Sequence, residues 1–328
     1  SQTIEQIFKT VFTVSLVELV VILGKYNTEI MAAAANMATT VATVSSFIYI
    51  YLYYRNKRRE IAQEIASTVN YKPTRIRKTL KRIINVAFPI SISSLISSFG
   101  KNIDSFTIVR FLKEFLTEEE AKIQYGILSG KIDSLCSLPF ALNVAFVTTL
   151  VPDISKTMAK KNIRDVVKKA ENYILISILI ALPIASTMFM YPSEIMKILF
   201  PNAQDGAMYL KISSIAIVFM LLAQTINGIL QGIGKVNIPA IAFGIGMIIK
   251  FLCNIFLIPN IKIGIYGAII GNILCNIVAF SISICVLCKS LKMKFDVKKI
   301  IIKPLLAAIC MNIVSILLYN RLKCIKIG

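Results

Sequence analysis

The chain has 328 residues, of which 56% are hydrophobic and only 16% are charged. Soluble domains carry about 45–50% apolar and about 25% charged residues, so this composition excludes a soluble enzyme. The chain contains no histidine, which excludes histidine-based metal sites and catalytic triads.

The chain is strongly basic, with 37 Lys and Arg against 17 Asp and Glu and a net charge of +20. In a soluble protein this charge would indicate a nucleic-acid partner. In a membrane protein it arises from the retention of basic loops on one side of the bilayer. Because the basic residues here concentrate in particular loops, we expect no nucleic-acid partner.

The cysteines do not form a recognisable site. Six of the seven lie in apolar runs, where cysteine acts as a small buried hydrophobic residue. Cys285 and Cys288 form a C-x-x-C motif, but no second pair completes a four-ligand set. We therefore expect no disulfide framework, no metal site, no cofactor and no catalytic residue.

Nine apolar stretches are long enough to cross a bilayer core about 30 Å thick as helices. Their length, without period-two alternation, favours helices over barrel strands. The sequence therefore predicts an all-α, polytopic membrane protein with about nine transmembrane helices. In chain order the stretches are 7–24, 30–54, 83–110, 126–151, 172–192, 207–231, 237–258, 264–288 and 300–319.

The loops between these stretches alternate in charge. The basic-rich loops 55–82, 152–171 and 289–299 all fall on one side of a strict nine-span alternation. The positive-inside rule assigns that side to the cytoplasm. We expect a multi-pass protein of the cytoplasmic membrane with residue 1 inside and residue 328 outside.

The first two spans and the seventh and eighth spans form a weak internal repeat. Both pairs have the same orientation, a tight outer turn, a start rich in small residues and a basic inner end. Same-orientation repeats mark transporters with two similar halves. We expect 1–54 to be the last two helices of an N-terminal lobe, 83–288 to be a six-helix C-terminal lobe, and 289–328 to add one helix. Four helices of the first lobe would then precede residue 1.

The segment 55–82 is predicted to be a basic cytoplasmic linker between the lobes. The favoured interpretation is a topology determinant and connector. The alternative is a basic amphipathic helix that binds anionic lipid head groups.

Several motifs occur in a characteristic order: 87–91 (AFPIS), 102–104 (NID), 150–155 (LVPDIS), 228–235 (GILQGIGK) and 264–268 (GIYGA). With Lys250-x-x-x-Asn254 between the last two, this series resembles the polysaccharide biosynthesis / stage V sporulation protein B family. That family belongs to the multidrug, oligosaccharidyl-lipid and polysaccharide exporter superfamily. The resemblance covers spans five to thirteen of a fourteen-helix pattern, so we expect the chain to be incomplete at both ends.

The resemblance implies a fold of two six-helix lobes around a cavity that opens alternately to each side. It also implies a flippase for undecaprenyl-pyrophosphate-linked glycans, including the peptidoglycan precursor. The expected partners are the lipid-linked glycan, membrane lipids and proteins of cell-wall synthesis, with a role in sporulation left open. Cavity arginines of the relatives lie on early spans that this sequence does not contain.

Charges inside the spans are functional candidates by default. Lys101 and Asp104 share a helix face near the outer end of the third span, and Lys131 and Asp133 lie at the same depth on the fourth. They would either line an outer cavity that binds pyrophosphate or sugar, or form an ion-pair cluster that latches the outer gate. The sequence leaves both interpretations open.

Three further residues complete the candidate set. Lys250 lies in the seventh span with Asn254 one turn on, and we expect both, together with the four charged residues above, to contact the substrate. Glu18, near the middle of the first span, is the candidate for binding a coupling cation or proton. We expect Asn254, Asn272 and Asn276 to form hydrogen bonds between helices.

Two other functions remain open. A cation-coupled drug or metabolite exporter of the same superfamily would use Glu18, Asp104 or Asp133 for coupling. A non-transporting scaffold of a cell-envelope complex would need none of the intramembrane lysines. The cationic set of Lys101, Lys131 and Lys250 favours an anionic substrate.

Overall fold

The computed structural model describes residues 2–22, 28–67, 76–201, 205–293, 300 and 302–325. It is 90% helical and has no strand within those ranges. This confirms the all-α fold class. Its helices are α1 (Gln2–Ile22), α2 (Thr28–Ser67), α3 (Ile76–Leu112), α4 (Glu118–Gly126), α5 (Asp133–Ala159), α6 (Ile163–Met190), α7 (Pro192–Leu199), α8 (Ala207–Gly232), α9 (Asn237–Leu257), α10 (Tyr266–Leu291) and α11 (Lys303–Ile325).

The protein is a multi-pass membrane protein. Among the described residues, five helical segments are long and apolar enough to cross a membrane: Glu118–Ala159, Ile163–Met190, Ala207–Gly232, Asn237–Leu257 and Tyr266–Leu291. The first of these joins α4 to α5 through a π-helical turn at Ile127–Ile132. The other four predicted stretches coincide with α1, α2, α3 and α11.

The chain divides into two compact units, Ser1–Lys78 and Thr79–Gly328. The dividing point lies inside the predicted linker 55–82, of which 68–75 lie outside the described residues. Much of the remaining linker is helical, because α2 continues to Ser67 and α3 starts at Ile76. The lobe boundaries themselves stay predictions.

In the first unit, α1 packs along α2. The contact face of α2 carries small residues one turn apart, and Ala38, Ala42 and Ser46 are all buried. The spacing i, i+4 places them on one helix face, where small side chains let two helices approach closely.

In the second unit, α8 is the central helix, with α5, α6 and α10 packed around it. One apolar cluster lies at the end of the unit where basic residues are frequent, and includes Leu150, Ile154, Ile226 and Leu230. A second cluster lies at the opposite end and is built on residues such as Ile108, Leu112, Ile132, Leu210 and Ile258. We call the first end of this unit the basic end.

Glycines set the distance between α9 and α10. A Cβ added at Gly246 would lie 2.8 Å from the backbone oxygen of Cys275, and one at Gly267 would lie 2.9 Å from the backbone nitrogen of Ile258. Backbone atoms cannot move aside as the end of a flexible side chain can, so these two helices touch only because both positions lack a side chain.

We expect Gly246→Ala to destabilise the protein by about 1–3 kcal/mol, because the added methyl group forces α9 away from α10. Gly126→Ala is the matched control, since a Cβ at Gly126 meets nothing within 4 Å. Circular dichroism at 222 nm, followed during denaturation of the purified protein, measures both. Equal stability of the two variants would contradict the close-packing interpretation.

Candidate functional site

A buried ion pair joins α3 to α9. The ammonium nitrogen of Lys250 lies 2.5 Å from Oδ2 of Asp104, and the two side chains are only 10% and 19% exposed. A charge inside a membrane protein is costly unless a partner of opposite sign and further hydrogen bonds compensate for its lost hydration. The two residues are 146 positions apart in sequence, so the pair depends on the packing of the two helices.

Two further side chains extend the pair into a network. The amide nitrogen of Asn254 donates to Oδ1 of Asp104 (3.2 Å) and to Oγ1 of Thr107 (3.0 Å). The hydroxyl of Thr107 in turn donates to the carbonyl oxygen of Ile103 (2.6 Å). Asn254 is fully buried, and Thr107 is 9% exposed. We refer to Asp104, Thr107, Lys250 and Asn254 as the Asp104 network.

One polar atom of this network has no hydrogen-bond partner among the described residues. The side-chain oxygen of Asn254 is buried and accepts no hydrogen bond from the described part of the chain. Gly271 of α10 faces it, because a Cβ added there would lie 3.3 Å from that oxygen. The Asp104 network therefore lies in the angle between α3, α9 and α10.

Helices α3 and α9 run parallel, since their contacting residues increase together along the chain. Gly100 meets Met247, Asp104 meets Lys250, and Thr107 meets Asn254. Beyond the network, Ile108 and Leu112 of α3 join the same apolar cluster as Ile258. The two helices are thus in contact from Gly100 to the end away from the basic end.

Toward the basic end the same two helices separate. A cleft with a volume of about 930 Å³ opens between them, which we call the α3–α9 cleft. Six isoleucine and phenylalanine side chains, two small residues and two asparagines line it: Ile84, Asn85, Phe88, Ile92, Asn237, Ala240, Ile241, Gly244, Ile245 and Ile248. The cleft lies on the basic-end side of the Asp104 network.

The structure brings together three of the predicted site residues, Asp104, Lys250 and Asn254. Lys131 lies elsewhere, in the π-helical turn, with its ammonium 5.6 Å from the ring centroid of Phe200. Asp133 is exposed at the start of α5. The charged residue that pairs with Asp104 therefore lies on α9. The sequence had suggested a partner on the fourth span, because the charged residues of the third and fourth spans lie at the same depth.

The other predicted residues are Lys101, Glu18 and the asparagines. The side chain of Lys101 lies outside the described residues. Glu18 is exposed on α1 in the first unit. Of the asparagines, Asn254 forms the expected bonds between helices, whereas the bond described for Asn276 is donated to the carbonyl oxygen of Asn272 within its own helix (2.8 Å).

A second buried polar cluster, which was not predicted from the sequence, joins α5, α6 and α8. The amide of Asn143 on α5 donates to Oε1 of Gln224 (2.8 Å) and to Oγ1 of Thr225 (3.2 Å) on α8. The hydroxyl of Ser177 on α6 donates to Oδ1 of Asn143 (3.2 Å) and is also hydrogen bonded to Thr225. The feature of the sequence that could have indicated this cluster is Asn143, an asparagine within an apolar stretch. This cluster holds three helices together and has its bonding capacity largely filled.

No group of three or more Cys, Asp or Glu side chains that could hold a metal ion occurs among the described residues. The candidate site is therefore the Asp104 network together with the α3–α9 cleft. Its chemistry is electrostatic and hydrogen bonding, with one ammonium, one carboxylate and amide groups.

We expect Asp104→Asn to destabilise the protein by about 3–5 kcal/mol, because it leaves the Lys250 ammonium buried without a countercharge. The double variant Asp104→Asn with Lys250→Met removes both charges and should recover most of that loss. Denaturation of the three proteins measures the coupling between the residues.

The exposed pair of Lys57 and Glu60, 2.7 Å apart, supplies the control. Lys57→Met should leave the unfolding midpoint unchanged, because solvent screens exposed pairs. Additive losses in the Asp104 and Lys250 variants would show that the buried pair is not coupled.

Two family models match the sequence. The model described as "Polysaccharide biosynthesis protein" matches residues 1–158, and the model described as "MatE" matches residues 125–256. Between them they cover most of the chain, including α1 to α8 and nearly all of α9.

Among curated proteins, the chain is 25% identical over 285 residues to "Lipid II flippase MurJ" of Bacillus subtilis, covering 84% of the chain and 51% of that protein. It is 20% identical over 313 residues to "Stage V sporulation protein B" of the same organism, covering 94% and 59%. The chain thus spans about half the length of the curated relatives it matches.

A solved structure described as the outward-facing conformation of a multidrug resistance MATE family transporter has the same fold. The TM-score is 0.61 at 15% identity, over 88% of this chain and 62% of that one. Together with the two family models and the curated relatives, this agrees with the motif series. By these matches the chain is similar to the polysaccharide biosynthesis family of the multidrug, oligosaccharidyl-lipid and polysaccharide exporter superfamily.

Proposed function

We propose that the chain is part of a flippase that moves lipid-linked oligosaccharide or peptidoglycan precursors, carried on undecaprenyl pyrophosphate, across the cytoplasmic membrane by alternating access. The observation that carries the proposal is the α3–α9 cleft together with the Asp104 network, which lies next to the cleft on the side away from the basic end. The similarity to a protein named lipid II flippase supports the substrate class.

The physical problem in such transport is the polar head group. Each polar group without a hydrogen-bond partner in the hydrocarbon core costs several kcal/mol. A cavity that is open on one side only lets the head group leave water on that side without opening a continuous aqueous pore. We infer that α3 and α9 form such a one-sided opening in the second unit, with the cleft toward the basic end and the Asp104 network beyond it.

The Asp104 network is the closing element of this proposal. For the far end to open, α9 must release α3, which breaks the contact between Lys250 and Asp104 and both bonds donated by Asn254. A lysine ammonium has three donors, so a substrate phosphate that takes the place of Asp104 offsets the cost of separating the pair. In this scheme Lys250 both latches the gate and senses the substrate, which combines the two interpretations that the sequence left open.

A second function is supported by a specific observation. The match to the MatE model and the fold shared with a multidrug resistance transporter favour a cation-coupled exporter equally. In that function Asp104 would exchange Lys250 for a coupling cation, and the transported molecule would not need phosphate. The two functions therefore differ in what must displace the Lys250 ammonium.

We expect a protein that carries this chain with Lys250→Ala to complement a flippase-deficient strain at least tenfold less well than the unchanged protein, because the phosphate loses its cationic partner. Lys101→Ala and Lys131→Ala test the other predicted lysines in the same assay. Lys250→Arg, which keeps the charge, should recover part of the activity.

Lys262→Ala, in the exposed turn between α9 and α10, is the matched control and should complement fully. Full complementation by all three of the Lys101, Lys131 and Lys250 variants would overturn the flippase mechanism and favour the scaffold function. Drug resistance that is conferred by the unchanged protein and lost in Asp104→Asn would favour the exporter.

A further inference from the structure

The α3–α9 cleft has the depth of one membrane leaflet. On α3 its lining runs from Ile84 to Ile92, and on α9 from Asn237 to Ile248. At 1.5 Å per residue these stretches are about 12 and 16 Å long. Half of a hydrocarbon core is about 15 Å thick. On α9 the lining ends beside Met247, the residue that meets Gly100 of α3, so the cleft is about as long as one leaflet is thick.

The walls of the cleft are apolar along this depth. They consist of isoleucine and phenylalanine side chains, several of them more than half exposed: Ile84 52%, Phe88 63%, Ile241 53% and Ile248 61%. Such a surface matches a hydrocarbon chain. An undecaprenyl chain extends well beyond one leaflet, whereas the acyl chain of a glycerophospholipid has about this depth.

Polar groups occur only at the mouth. Asn85 and Asn237 are the two side-chain amides of the lining. Lys81 lies one turn before Asn85 on the same face of α3, and Lys235 lies two residues before Asn237; both lysines are exposed. Amides and ammonium groups are donors for phosphate oxygens.

Neither wall of the cleft contributes a negative charge to this mouth. Residues 76–103, which contain the α3 wall, include no Asp or Glu, and neither do residues 206–295, which contain the α9 wall. No carboxylate from either wall therefore neutralises Lys81 or Lys235. The mouth is complementary to an anionic head group and not to a neutral or cationic one.

We propose that the α3–α9 cleft binds an anionic glycerophospholipid of the inner leaflet, with an acyl chain between α3 and α9 and the phosphate at Asn85, Asn237, Lys81 and Lys235. This site does not depend on what the protein transports. A lipid in the cleft props α3 and α9 apart at the basic end, so its occupancy favours the conformation that is open there.

The absence of tryptophan from the chain makes a direct test possible. Phe88→Trp places a single indole in the wall of the cleft, where lipids with brominated acyl chains quench its fluorescence on contact. The full chain is reconstituted into vesicles of phosphatidylcholine and phosphatidylglycerol at fixed proportions. One preparation carries bromine on the phosphatidylglycerol, and the other carries it on the phosphatidylcholine.

Phe106→Trp is the reference, because Phe106 is 78% exposed on α3 at the level of the Asp104 network and is not part of the cleft lining. We expect the indole at position 88 to be quenched preferentially by phosphatidylglycerol and the indole at 106 to show no preference. Adding Lys81→Gln or Lys235→Gln should lower the preference at position 88 by up to about fivefold per lysine. Adding Lys262→Gln should not change it.

Three results would overturn the proposal. Equal quenching by both lipids at position 88 would mean ordinary contact with bulk acyl chains. A preference that survives both lysine substitutions would place its cause elsewhere. No quenching by either lipid would mean that protein covers the cleft, either other parts of this chain or a second copy. None of these results bears on complementation, so transport and lipid binding are tested separately.

Discussion

The position of α3 against α9 depends on one interaction, the buried pair of Asp104 and Lys250. Neither charge is stable alone at this depth, so each fixes the position of the helix that carries the other. Because Asn254 also donates to Asp104 and Thr107, the register of α3 against α9 is set to within one helical turn. The cleft toward the basic end exists because the contact between the helices is confined to one half of their length.

A comparison of the two buried polar clusters shows why only one is a candidate gate. The Asn143 cluster consists of neutral groups on three tightly packed helices and satisfies its donors internally. The Asp104 network carries two full charges, borders a cleft and, among the described residues, leaves the Asn254 oxygen without a donor. Because the hydrogen bonds of the Asp104 network are incomplete in a low-dielectric site, an alternative arrangement of its side chains is energetically accessible. The Asn143 cluster, whose hydrogen bonds are largely complete, resists such rearrangement.

The sequence was sufficient for the fold class and for part of the site, because the bilayer imposes rules that a linear pattern reveals. Long apolar runs must be helices, and the rare charges within them stand out, which identified Asp104, Lys250 and Asn254. Their pairing could not be predicted, since it depends on helices 146 residues apart. Equal depth on consecutive spans suggested Lys131 and Asp133 as partners, yet α3 packs on α9. Thr107 went unnoticed because a threonine that bonds to its own helix gives no signal.

The length of α2 has a consequence for the basic segment that follows its apolar part. The helix continues through 55–67 without a break, so its charged turns extend about 20 Å past the last tyrosines. Electrostatic attraction to a membrane surface decays within about 8–10 Å at physiological salt. Arg55 and Arg58 therefore lie close enough to interact with head groups, while the later turns of α2 extend beyond the range of this attraction.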